Sequence, residues 1–163
     1  MMHRFLMWIS GRLPCRLIDI AGAPYLERYH LASLGSLRIY LHRFVGSDPD
    51  REFHDHPWYW ALSLILCGWY IEHRRTGPRP MRWINALSGD TFHRVELPAG
   101  QKSVWTMFIH GQRGKRWGFL REVQVAPHRA VIVYEPYTYA DGAQESGAWW
   151  ITVPRGRDAA RQP

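Results

Sequence analysis

The chain has 163 residues, which is room for one hydrophobic core. Its hydrophobic content of 46% is that of an ordinary globular protein, and no apolar run approaches the roughly 18 residues that a membrane-crossing helix needs. The net charge of +7, from 21 basic and 14 acidic residues, is scattered and not interleaved with aromatics in a nucleic-acid motif, so neither a nucleic acid nor a membrane is expected as partner.

Taken in chain order, the first signal is the apolar patch Phe5-Leu6-Met7-Trp8-Ile9, which Gly11-Arg12 ends. It is too short for the apolar region of a signal peptide and no clean cleavage site follows. Two distant cysteines, Cys15 and Cys67, form no CxxC pair and fit a reducing compartment, so the expected location is the cytoplasm. A short N-terminal helix is expected between about residues 17 and 34, limited by Gly22, Pro24 and Gly35. Residues 37–45 read as a strand ending in the turn Gly46-Ser47-Asp48-Pro49-Asp50. Residues 58–67 are the most apolar segment, and the even positions Trp58, Trp60, Leu62, Leu64 and Leu66 are expected to share a face with His54 and His56. Gly68 breaks this run, residues 69–73 return as a strand, and Thr76-Gly77-Pro78-Arg79-Pro80 reads as a loop.

Residues 81–84 make a short strand before the turn Ser88-Gly89-Asp90. Residues 92–97 alternate cleanly, with His93, Val95 and Leu97 on one side and Arg94 and Glu96 on the other. After Pro98-Ala99-Gly100, residues 103–110 are β-rich, 111–116 are a polar turn, and 117–120 extend a sheet. Residues 130–134 and 148–153 are two further apolar runs. Short strands with regular turns predict an all-β sandwich or closed barrel. Residues 1–153 are read as one domain and 154–163 as a disordered tail. Nine tryptophans and 14% aromatics suggest a wide core, a ring-lined pocket, or both.

The chemistry concentrates in His54-Asp55-His56-Pro57-Trp58. On an extended segment, residues two apart point the same way, and neutral imidazole nitrogens bind first-row metals. Pro57 cannot donate to a central ladder, which places the pair at a strand edge, bulge or barrel mouth. His93, behind the Gly89-Asp90 turn, is the expected third ligand. His42 and His110 are candidates for a fourth ligand or for a partner that fixes a ligand's tautomer. Asp55 should point away from the pair and serve as a hydrogen-bonding or turn residue. Trp58, Trp60 and Trp105 are candidates to line a pocket. Arg43, Arg51 and Arg94 are candidate anion holders near its mouth, although Arg94 has the opposite parity to His93. No G-x-S-x-G elbow and no phosphate loop is present, which argues against hydrolytic and nucleotide-driven chemistry.

These residues resemble the motifs of the cupin superfamily. His54, His56 and Gly68 match an HxH pair followed by a strand-closing glycine, and Gly89 and His93 resemble the second motif's Gly-turn-His. The superfamily's glutamate is missing, since Trp60 or Ala61 stands in its place, and Leu97 stands where an asparagine is usual. The set Ser47–Arg51, His54–Trp58, His93–Leu97 and Arg116–Phe119 looks more closely like a group of small uncharacterised bacterial and phage cupin-like proteins. The resemblance implies a double-stranded β-helix (jelly-roll) barrel with a divalent metal (iron, zinc or nickel) on three histidines, as in thiol dioxygenases. It implies a non-haem metal-dependent dioxygenase or related oxidoreductase acting on a small molecule. The alternatives are a non-catalytic small-ligand-binding or sensing module and, less favoured, a basic nucleic-acid-interacting protein. Cupins often dimerise, so the resemblance leaves a homodimer open.

Overall fold

The computed structural model describes residues 1–20, 22–48, 52–138 and 148–162; the turn residues Pro49 and Asp50 and the candidate anion holder Arg51 lie outside them. One helix, α1 (Met2–Ser10), precedes twelve strands: β1 (Cys15–Ile20), β2 (Ala23–Leu34), β3 (Leu37–Phe44), β4 (Phe53–His54), β5 (Trp60–Cys67), β6 (Tyr70–Arg74), β7 (Gly77–Met81), β8 (Ile84–Ser88), β9 (His93–Glu96), β10 (Val104–His110), β11 (Gly118–Ala126) and β12 (Arg129–Pro136). They form two six-stranded antiparallel sheets, in the orders β1-β2-β3-β10-β5-β8 and β12-β11-β4-β9-β6-β7. This is an all-β jelly-roll architecture with one short N-terminal helix.

The helix forms earlier than expected. The apolar patch of residues 5–9 is helical, and residues 17–34 are the hairpin β1–β2 instead. The reason is that β2 is covered on both faces. Tyr25, Leu26 and Glu27 are buried in succession, which erases the period of two that marks a half-exposed strand. Helix α1 lies against the outer face, where Leu6 packs with Cys15, Tyr29, Leu41 and Trp105.

Between the sheets the core has two parts. Tyr25, Leu26, Phe44, Ile65 and Val104 of the first sheet meet Tyr70, Met81 and Val95 of the second. Tyr40, Ala61, Leu87 and Phe108 gather around Trp58 and Trp149. Gly68, at the β5–β6 turn, has φ +85, and a Cβ there would come within 3.0 Å of the Ser103 carbonyl. Glycine is therefore required by both conformation and space.

Three further expectations are corrected. Tyr59 and Trp60 both face outward, so the alternation slips by one, and Ala61, Ser63 and Ile65 point inward where the even positions were expected. Residues 77–81 form β7 and not a loop; its prolines sit on the edge of a sheet, where a missing N–H costs no ladder bond. The segment after Val153 is held against the domain and not loose. Gln162 donates its backbone N–H to buried Glu27 (2.8 Å) and accepts from Arg43 (2.7 Å), while Gly156 N–H bonds the Leu13 carbonyl (2.9 Å). Polar composition suggested a free tail; a buried ion pair, Glu27–Arg43 at 3.3 Å, supplies its anchor.

Candidate metal centre

Strand pairing places the histidines. His54 of β4 lies directly across from His93 of β9, and His56 follows two residues later, just beyond the strand. One ring nitrogen from each of His54, His56 and His93 lies within 4.8 Å of the others. The three ring centroids are 5.0–5.1 Å apart. His56 Nε2 and His93 Nε2 approach to 2.7 Å. Two nitrogens bound at right angles to one ion, each about 2.1 Å away, would be about 3.0 Å apart. The spacing of the donors therefore fits a shared cation.

Two carboxylates stand behind the rings. Glu72 Oε1 is 2.7 Å from His93 Nδ1 and is fully buried. The same oxygen accepts from Asn85 Nδ2 (2.7 Å), and Glu72 Oε2 accepts from Arg74 Nε (2.6 Å). Burial alone would raise the Glu72 carboxyl, but these donors outweigh it and hold it at about 2. The charged carboxylate takes the Nδ1–H of His93, which leaves the Nε2 lone pair facing the other histidines. On the far side, Asp48 Oδ2 lies 3.2 Å from His54 Nδ1. Two buried anions thus stand ready to balance a dication.

Electrostatics also favour the neutral forms of His56 and His93. Burial, reinforced by the neighbouring histidines and by Arg28 and His110, drives His56 well below its ordinary value. His93 is lowered as well, burial outweighing the hydrogen bond it donates to Glu72, which pulls it up. Neutral imidazole is the form that ligates a metal.

The other candidates separate. Trp58 is buried and stacks on His56 with centroids 3.9 Å apart. His110 lies beside it, 5.6 Å from the Trp58 ring, and its Nδ1–H donates to the Gly111 carbonyl (2.7 Å). His42 is not joined to the trio; Arg28 Nε donates to its Nε2 (3.2 Å) and its ring stacks on Phe108. Asp55 points away, accepting from Lys115 Nζ (2.6 Å) and Gly118 N–H (2.7 Å), and so ties β11 to the ligand segment. Trp60 is 47% exposed and lies over Gly111. Trp105 is buried beneath α1, stacked on Tyr29, on the outer face of its sheet and away from the histidines. Arg43 is likewise on that face, bound to Glu27, and Arg94 lies 3.9 Å from Glu96.

Glu72 and Asp48 were not singled out from the sequence. Asp48 reads as a turn residue. Glu72 carries a weak signal: it sits between Tyr70 and Arg74 with the parity of a buried face, and a carboxylate at such a position needs partners.

No family model matches the chain, and no curated protein matches it in sequence. Solved structures do match its fold. Fe(II) HppE is 12% identical, with a TM-score of 0.51 over 60% of this chain and 56% of that one, so the match spans little more than half of HppE. A cupin-2 domain protein from Shewanella frigidimarina NCIMB 400 is 10% identical, with a TM-score of 0.44 over 58% of this chain and 85% of its own. A cupin-superfamily sugar phosphate isomerase from Silicibacter pomeroyi DSS-3 is 15% identical, with a TM-score of 0.47 over 58% and 64%. At 12% identity the likeness to Fe(II) HppE is one of fold alone.

Proposed function

We propose that His54, His56 and His93 hold one divalent cation and that the protein is a metal-dependent oxidoreductase acting on a small molecule. The observation that carries this reading is the convergence of three ring nitrogens within 4.8 Å, one of them backed by the Glu72 carboxylate. A three-imidazole set leaves about three of six octahedral positions for substrate and a co-reactant. Such a metal would supply Lewis-acid or redox chemistry. The chain's own residues do the rest: Glu72 orients His93, Asp48 faces His54, and Trp58 stacks on His56 and screens it from water. Iron is the metal favoured by the likeness to Fe(II) HppE, with zinc and nickel as competitors for the same donors. The two unpaired cysteines suit a cytoplasmic protein, and among the described residues no helix is long and apolar enough to cross a membrane.

Cobalt(II) titration followed by its visible absorption tests the open site. The expected result is one equivalent bound with the weak bands of five- or six-coordination, and iron-loaded protein that consumes dioxygen with an organic thiol or carbonyl compound. Strong tetrahedral bands would mean a four-coordinate site of three histidines and one further ligand, suited to Lewis-acid chemistry, and would contradict the oxidoreductase reading. One equivalent bound at an open site without turnover would leave a binding or sensing module.

A further inference from the structure

A cavity of about 290 Å³ opens beside the histidine cluster, lined in part by Arg28, Arg38, Tyr40, Trp58, Phe108 and Arg113. Its floor is aromatic: Tyr40, Trp58, Phe108 and Trp149 are all buried. Its walls carry three arginines and, among the described lining residues, no carboxylate. The arginines come from three separate places. Arg28 of β2 is steadied by its Nε hydrogen bond to His42 and lies 5.4 Å over the Tyr40 ring. Arg38 of β3 donates to the carbonyls of Gly35 (2.5 Å) and Leu37 (3.0 Å). Arg113 is exposed on the turn after β10, held by a backbone bridge to Trp58. A larger depression of about 440 Å³ along residues 78–84 is lined by one stretch of edge strand, far from this constellation in sequence, and has no comparable floor.

We propose that this cavity binds a small molecule that carries a carboxylate or phosphate on a planar, apolar body. The rings supply a stacking floor of the size that drug-like ligands use. Guanidinium groups supply fork-shaped donors that match either anion. Trp58 is both part of the cavity floor and the ring stacked on His56 at 3.9 Å, so the cavity and the histidine cluster share a side chain. As a statement about substrate, the inference rests on the metal reading above; as a statement about binding, it rests on the cavity alone.

The test is a titration of the 163-residue chain with phenyl phosphate, benzoate and benzyl alcohol, read by tryptophan fluorescence and calorimetry. Phenyl phosphate or benzoate is expected to saturate, and benzyl alcohol to bind at least tenfold more weakly. The tighter of the two anions identifies the head group. Arg38→Gln and Arg113→Gln are each expected to weaken binding about tenfold, the worth of one charge-assisted hydrogen bond. Arg79→Gln, which removes the same charge from the edge strand β7, should leave it unchanged. Equal loss in Arg79→Gln, equal affinity for benzyl alcohol, or no saturation with either anion would overturn the inference. Metal-stripped wild type separates this proposal from the last. Anion binding that persists there supports the cavity whatever the fate of the metal reading. Metal binding without anion binding would refute the cavity and leave the metal centre intact.

Discussion

His93 shows how one side chain is made ready for a metal. Its Nδ1–H faces a carboxylate that is ionised at every ordinary pH, so its lone pair can only point toward His54 and His56. Replacing Glu72 with Gln removes that charge. Metal affinity, measured by competition with a chromophoric chelator, should fall about 10- to 100-fold, the usual effect of losing a carboxylate behind a ligating histidine. Unchanged affinity would mean that Glu72 is only structural. The same carboxylate has a pH signature. Its value in the folded state lies below the ordinary 4.5, so it contributes stability that is present above about pH 4.5 and lost as pH falls from there toward 2. His42 acts in a higher window. Burial first, and then the Arg28 charge, drive it well below 6.5, so the unfolded chain takes up a proton below that pH and the folded one does not. Stability is therefore lost as pH falls below about 6.5, by at most about 1.4 kcal/mol per pH unit for this group. The urea midpoint of wild type should drop between pH 7.5 and 5.5, and His42→Asn should flatten that drop.

The elements differ in how plainly they can be read. β9 declares itself, since buried His93 and Val95 alternate with the half-buried Arg94 and Glu96. β2 does not, because α1 and the C-terminal segment cover the face that would otherwise be polar. The two outward residues Tyr59 and Trp60 show a second limit: a slip of one position reverses every side chain that follows. No local pattern announces such a slip. The docked C-terminal segment gives a direct test. A Cβ on Gly156 would strike the Ser10 carbonyl and the Tyr29 ring, so Gly156→Val should cost about 1–3 kcal/mol by overpacking. Removing residues 154–163 should cost at least as much, because Glu27 loses the Gln162 N–H and Arg43 loses its carbonyl. Urea unfolding measures both; truncation without effect would show that the segment does not hold the outer face.

The two sheets together turn distant motifs into one place. His54 and His56 were legible from their spacing, and His93 from its parity, because strand geometry is periodic over a few residues. The partners of these rings were not legible. Glu72 reaches His93 only because β6 and β9 are neighbours in a sheet, and Asp48 meets the ring of His54, six residues further along the chain. Trp105 failed as a pocket residue for the same reason: its strand has two buried faces, and sequence does not say which one looks toward the histidines. The cationic cavity is equally non-local, drawing its arginines from β2, β3 and the turn after β10. The proposed metal chemistry, unlike binding in the cavity, depends on one cation among three imidazoles. The most direct measurement is the metal content, by elemental analysis, of protein purified without chelator, for wild type and for His54→Ala and His93→Ala. Near one equivalent of a first-row metal in wild type, and a small fraction of that in each folded variant, is the predicted result; metal-free wild type that also fails to take up iron, zinc or nickel, or variants that keep a full equivalent, would contradict it.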